Sequence, residues 1–251
     1  MVKSNFDIEK WFEEKKSSGQ CGLLMLIDPD RETPETLAKR ALQGQNAGVD
    51  AILVGSSILI GSGFCQTVIS IKEKVDIPVF IFPGKSDQLT SDADGVFFLS
   101  LISGRNPRWL IEEQVCAAPQ IKRMGLSTLS VAYMLIESGQ TTAVEFMSNT
   151  RPIPANKPDI VIAHVLAAEM MGFKCVFLEA GSGAENPVSG DLIRKIKSVS
   201  DINLIVGGGI RTLKSAKDLS SNGANFVVMG NVFENNSDQD FLKKIVDTIK
   251  S

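Results

Sequence analysis

Histidine, tyrosine and tryptophan are nearly missing from this 251-residue chain, which has one His, one Tyr and two Trp. A lone histidine excludes a His-rich metal centre and any site that needs two imidazoles. The four cysteines, Cys21, Cys65, Cys116 and Cys175, lie far apart and match no zinc or CxxC spacing. They read as reduced, mostly packing residues of a cytoplasmic protein. Charge of one sign is also lacking: 26 basic residues against 29 acidic ones leave a net charge of −3. The basic side chains are dispersed rather than striped, which argues against nucleic acid as a partner. No apolar run approaches the length that spans a bilayer, and the charged first sixteen residues lack the apolar centre of a signal peptide. The expectation is a soluble cytoplasmic chain with at most peripheral membrane contact.

What the chain has instead is short β-type runs separated by helical stretches. The spacing predicts an N-terminal helix over 6–16, then strands at 23–27, 51–54, 78–82, 96–99, 129–136, 175–178, 204–206 and 226–229. Between them fall helices at about 33–47, 63–75, 107–124, 157–171, 191–198 and 212–221, with a last one from Gln239 onward. Residues 83–94 are short, polar and turn-rich, so no regular helix is expected there, and residues between strand five and the helix at 157 read as a long irregular insertion. Eight strands alternating with crossovers predict one (β/α)8 TIM-like barrel over 1–251, lacking the regular third helix.

Three successive strands end in glycine. Val176-Phe-Leu-Glu179 runs into Ala180-Gly-Ser-Gly183, Leu204–Val206 into Gly207-Gly-Gly209, and Phe226–Met229 into Gly230-Asn231. In such a barrel the carboxyl ends of the strands carry the ligand site and the last loops hold phosphate, because glycine lets backbone N–H groups approach an anion. Each loop alone is also an ordinary tight turn; three on consecutive strands favour the anion site. Glu179, a charge placed directly after an apolar strand, is expected inside the barrel mouth. Asp28, between Ile27 and Pro29, has two readings. It is a turn residue leading into the next helix, or, with the hydroxyls of Gly55-Ser-Ser57 on the neighbouring strand, a ligand for a hard cation such as Mg2+. Tyr133 reads as core or as groove lining, His164 as a packing or interface residue. Trp109, on the first turn of its helix, reads as an exposed contact residue.

Taken in order, Leu26–Asp30, Leu53–Ser57, Ile81–Gly84, Phe98–Leu101 with Arg105–Pro107, Arg151–Pro154, Phe177–Ala184, Gly207–Arg211 and Gly230-Asn231 resemble the geranylgeranylglyceryl phosphate synthases and their bacterial heptaprenylglyceryl phosphate synthase relatives, over nearly the whole chain. The resemblance implies an Mg2+-dependent prenyltransferase that joins sn-glycerol 1-phosphate to a polyprenyl diphosphate, giving an ether-linked prenylglyceryl phosphate for membrane lipid synthesis. By position it makes Asp28 and Ser57 metal ligands, and Phe177, Leu178, Glu179, Ala180, Gly181, Ser182, Gly183, Gly208, Gly209, Gly230 and Asn231 the glycerol phosphate site, with Glu179 as general base. It also implies a homo-oligomer, dimer or hexamer, with the Trp109 region as contact. The chain departs from the pattern at Phe177, where the family usually has Tyr, a loss of about 1 kcal/mol of hydrogen bonding. It departs again at Gly55-Ser-Ser57, where Gly-Gly-Ser is usual, and at Arg31 in place of Lys. Two other readings stay open: another phosphate-handling barrel such as a sugar-phosphate isomerase or lyase, and a catalytically silent ligand-binding or assembly barrel.

Overall fold

The computed structural model describes residues 6–235 and 238–251. Eight parallel strands pair in sequence order and close, β1 (Gly22–Ile27) onto β8 (Phe226–Met229). Between them lie β2 (Ala51–Val54), β3 (Val79–Ile81), β4 (Gly95–Leu101), β5 (Ser127–Leu135), β6 (Cys175–Glu179) and β7 (Asn203–Gly207). Both faces of β2, β3, β6, β7 and β8 are buried, which explains their nearly continuous apolar runs. One face, with Leu24, Leu53, Phe80, Phe97, Val131, Phe177, Ile205 and Phe226, fills the barrel interior. The other, with Met25, Val54, Ile81, Val176, Leu178 and Val206, packs under the surrounding helices.

The helices begin and stop where their caps say. In α2 (Pro34–Ala47) the Thr33 hydroxyl accepts from the Thr36 N–H, Pro34 opens the first turn, and left-handed Gly48 ends it. α8 (Leu213–Ser221) starts on a reciprocal capping box between Thr212 and Ser215. α1 (Ile8–Ser17) closes the amino end of the barrel. Its Phe12 is fully buried, with ring centroids 4.5 Å from Phe226 and 5.6 Å from Phe97. Two hydrogen bonds fix it to strand starts: the Ile8 N–H donates to Ser127 Oγ, and Asn203 Nδ2 donates to Glu13 Oε1. Buried Asp50 accepts from both Lys15 of α1 and Lys250 of the last helix, tying the two ends of the chain to the entry of β2.

Residues 83–94 contain no helix, as the polar stretch predicts. The other crossovers are α3 (Phe64–Lys72), α4 (Glu113–Met124), α6 (Pro158–Met170) and α7 (Gly190–Lys197). The expected single helix over 107–124 instead opens with a π-helical turn, Arg108–Glu112, before α4. The stretch after β5 is not wholly irregular either: Thr142 caps a short α5 (Ala143–Ser148), ended by Asn149 at φ 49. A further short helix, α9 (Asn231–Asn235), precedes α10 (Gln239–Lys250). β4 and β5 are longer than their apolar runs, because pairing to each other carries Gly95 and Ser127 into the ladder. Cys21 and Cys175 are buried as expected, whereas Cys65 and Cys116 are exposed rather than packed.

Candidate active site

At the carboxyl end of the strands lies a cavity of about 450 Å³. Glu179, last residue of β6, reaches it with only 7% of its surface exposed. Burial pushes its carboxyl up to about 7, against two groups that favour the charged form: the Gly181 N–H, which donates to Oε1 at 2.5 Å, and the Tyr133 hydroxyl. β5 pairs with β6 so that Tyr133 lies beside Phe177, two residues below Glu179. Tyr133 itself is held far above the ordinary phenol range, first by burial and then by the carboxylate beside it. The result is a carboxyl group poised to exchange a proton near neutral pH.

The glycine loops are shaped around that carboxylate. Gly208 has φ +86, and a Cβ there would lie 2.5 Å from both Glu179 Oε1 and the Gly181 N. The expectation that Gly208 is needed for the phosphate's approach is therefore incomplete: a side chain would first strike Glu179. Ser182 Oγ lies 3.5 Å from Asn231 Oδ1, linking the first loop to the third. Arg211 Nη2 donates to the carbonyls of Gly183 and Ala184, and Gln140 Nε2 donates to Gly183, so two side chains hold the Gly-Ser-Gly turn from behind.

Across the mouth, Asp28 is one-quarter exposed and lines the cavity with Ser56 and Ser57. The hydroxyl that reaches it is that of Ser56, 3.2 Å from Oδ2, rather than that of Ser57. Arg31 Nε stands 3.6 Å from the same oxygen. Asp30 turns away and accepts from the Ile60 and Gly61 N–H groups, pinning the β2–α3 loop at the rim. Among the described residues no group of three or more His, Cys, Asp or Glu side chains gathers as a metal cluster.

The cavity does not stop at the barrel. Its lining includes Val96 and Phe98, which face outward from β4, together with Leu89, Ala117 and Ile121. It therefore continues over the outer face of β4, between the 83–94 segment and α4, where an ordinary barrel would seat its third helix. Phe82, Trp109, Val144 and Met147 wall the passage from barrel mouth to groove.

Of the site residues expected from sequence, Asp28, Ser57, Glu179, Ser182, Gly183, Gly208, Gly209, Gly230 and Asn231 meet in this one cavity. Phe177 is fully buried beneath it, stacked 5.3 Å from Phe82 and tilted against Tyr133 at 5.2 Å. Leu178 and Ala180 turn outward into the helical layer, and Gly181 sits behind Glu179 as its hydrogen-bond donor. Trp109 is not exposed as the sequence suggests. It is half-buried on the cavity wall, with the Arg108 guanidinium 4.8 Å from its ring. Sequence reasoning named Ser56 only within Gly55-Ser-Ser57 and missed Gln140 and Arg211. For Tyr133 the period-two pattern of Leu129, Val131, Tyr133 and Leu135 was the available signal that it faces inward.

Barrels that share little beyond the fold have the same outline: thiamine phosphate pyrophosphorylase from Pyrococcus furiosus superposes with a TM-score of 0.58 at 16% identity, covering 91% of this chain and 95% of that one. Much nearer is (S)-3-O-geranylgeranylglyceryl phosphate synthase from Thermoplasma acidophilum, solved with sn-glycerol-1-phosphate, at TM-score 0.92 and 33% identity over 97% of this chain and 98% of that one. The geranylgeranylglyceryl phosphate synthase of Methanosphaera stadtmanae is 41% identical over 225 residues, 89% of this chain and 92% of the relative. That of Flavobacterium johnsoniae is 43% identical over 224 residues, again 89% and 92%. The PcrB family model matches residues 9–249, so a barrel with a buried acid, three glycine turns and an open groove in place of its third helix is, in this chain, a member of the PcrB family.

Proposed function

We propose that this protein is a prenyltransferase that joins sn-glycerol 1-phosphate to geranylgeranyl diphosphate, forming the ether bond of a 3-O-prenylglyceryl 1-phosphate. The observation that carries the reading is one continuous cavity that joins a glycine-lined phosphate end, a titratable buried carboxyl and an apolar groove outside the barrel. A sugar-phosphate isomerase or lyase has no use for that groove, and a silent barrel has no use for a carboxyl group held near neutrality.

The acceptor's phosphate belongs at Ser182, Gly183, Gly208, Gly209, Gly230 and Asn231, where backbone N–H groups and the open turn at Gly183 suit an anion. This places the glycerol hydroxyls toward Glu179. The glycerol oxygen bonds to the allylic carbon, the bond from that carbon to the diphosphate breaks, and Glu179 takes the hydroxyl proton. Its buried setting makes the carboxylate basic enough to accept that proton. Before the transfer, the Tyr133 hydroxyl stabilises the charged form and fixes its direction. Phe177 leaves the floor beneath without a hydroxyl of its own.

Asp28 fits Mg2+: it offers a partly exposed carboxylate with the oxygens of Ser56 and Ser57 beside it, a hard donor set that a substrate diphosphate would complete. When bound, the ion would neutralise the leaving diphosphate. Oligomerisation belongs to the same reading, and the side chain that supports it is Phe146 of α5, 77% exposed outside the cavity. Incubation with radiolabelled glycerol 1-phosphate and the C15, C20 and C35 diphosphates, with and without Mg2+, tests the proposal. Labelled ether lipid formed from the C20 donor only when Mg2+ is present is the expected result, and no product with any donor overturns it.

A further inference from the structure

Three cationic side chains line the cavity and another, Arg108, stands beside its wall at Glu113; three of the four have partners. Arg31 faces Asp28 at 3.6 Å, Arg108 donates to Glu113 at 2.8 Å, and Arg211 is spent on the carbonyls of Gly183 and Ala184. The fourth is Lys85, half-buried in the lining, and among the described residues no carboxylate pairs with it. Glu113, which lines the same wall, is already occupied by Arg108 and by the Ser86 N–H. A lysine kept partly out of water without a counter-charge is unfavourable unless an anion arrives.

The backbone fixes where that lysine starts. A Cβ on Gly55 would lie 1.7 Å from the Phe82 carbonyl, and one on Gly84 would lie 2.2 Å from the Ser56 carbonyl, so the ends of β2 and β3 are pressed together. Gln88, 1% exposed, locks them: its Nε2 donates to the Ser56 carbonyl at 3.0 Å while its Oε1 accepts the Gly84 N–H at 2.9 Å. Lys85 thus leaves the chain one residue from a segment clamped onto Ser56, whose own hydroxyl is 3.2 Å from Asp28. Its flexible four-carbon stem gives a point charge that can follow a phosphate oxygen.

We propose that Lys85 binds the diphosphate of the prenyl donor at the Asp28–Ser56–Ser57 corner and holds it as it leaves. This deepens the prenyltransferase reading and rests on it. A diphosphate carries more negative charge than one divalent cation beside Asp28 neutralises, and Lys85 supplies a cation that no protein group has claimed. When the bond from carbon to oxygen breaks, its electron pair departs on the diphosphate. The Lys85 side chain beside it lowers the energy of that charge.

The test is calorimetric titration of inorganic pyrophosphate with MgCl2, and separately of glycerol 1-phosphate, into the wild-type protein and the Lys85→Met, Lys85→Gln and Lys85→Arg variants, together with KM for geranylgeranyl diphosphate. Both neutral variants should bind pyrophosphate about tenfold to a hundredfold more weakly, as expected for one charge-assisted hydrogen bond. They should raise the donor KM in step and leave glycerol 1-phosphate affinity unchanged, while Lys85→Arg keeps most of the pyrophosphate affinity. Pyrophosphate affinity within twofold of wild type in whichever neutral variant melts like the parent overturns the proposal, as does a loss that falls on glycerol 1-phosphate instead. Lys85-dependent pyrophosphate binding in a protein that transfers no prenyl group from any donor supports the Lys85 site and counts against the activity reading alone.

Discussion

Glu179 is a destabilising group at the mouth of the barrel. Its carboxyl rises from 4.5 to about 7 on folding, chiefly through burial. Between those values the folded chain holds more of the proton than the unfolded chain does, so stability falls as pH rises through the window and levels off above about 7. The shift corresponds to on the order of 3 kcal/mol. Glu179→Gln keeps an acceptor for the Gly181 N–H but carries no charge. At pH 8 it should melt higher than the wild type while turning over about two to four orders of magnitude more slowly; an unchanged melting temperature would mean the carboxylate is better solvated than its burial implies. In the wild type, kcat/KM should climb with pH through about 7 and then flatten, because only the deprotonated acid accepts the hydroxyl proton. A rate that is flat from pH 5.5 to 8.5 would remove Glu179 from the proton transfer.

At the scale of elements, α1 does the work of a stopper. Ile8, Trp11 and Phe12 recur at helical spacing, and the barrel supplies Phe80, Phe97 and Phe226 to receive them. Phe12→Ala should cost about 3–5 kcal/mol, read as a lowered urea midpoint with an unchanged slope, since a fully buried ring leaves a void that the rigid strand ends cannot close. Catalysis at 25 °C should survive, because the stopper and the active site occupy opposite ends of the strands. The helices with strong caps, α2 and α8, were legible from Thr33-Pro34 and Thr212. The π-helical turn at 108–112 and α5 were not: neither has a long periodic pattern, and both are held by what they pack on. The Asn106 side chain reaches the Ser148 carbonyl, and the Ser100 hydroxyl donates to the Leu110 carbonyl, contacts that no local spacing announces.

For the whole molecule, the two conspicuous aromatics outside the barrel interior lie in different settings. Trp109 lies on the cavity wall, whereas Phe146 is 77% exposed on the outer side of α5. On the proposed oligomer, Phe146→Ala should lower the sedimenting mass and leave the donor KM near the parent's. Trp109→Ala should do the reverse, since it enlarges the apolar passage without touching the outside. Equal sedimentation of Phe146→Ala and wild type would move the interface elsewhere. Among the described residues no helix is long and apolar enough to cross a membrane.

The sequence by itself determined the barrel, the missing third helix, and the rim on which Asp28, Glu179 and the three glycine turns stand. Those follow from local rules: apolar runs of strand length, capping residues, and glycine wherever a strand must turn sharply. Tertiary structure decided everything that depends on which strand neighbours which. The β5–β6 register put Tyr133 beside Phe177 and within reach of Glu179, and the pressing together of β2 and β3 gave Asp28 the hydroxyl of Ser56 rather than that of Ser57. The π-helical turn rotated Trp109 onto the cavity. Closing the barrel brought Gly208 so near Glu179 that only glycine fits. Sequence periodicity tells which way a side chain faces, but the partner it meets comes from a chain segment tens of residues away, and only the packed fold fixes that meeting.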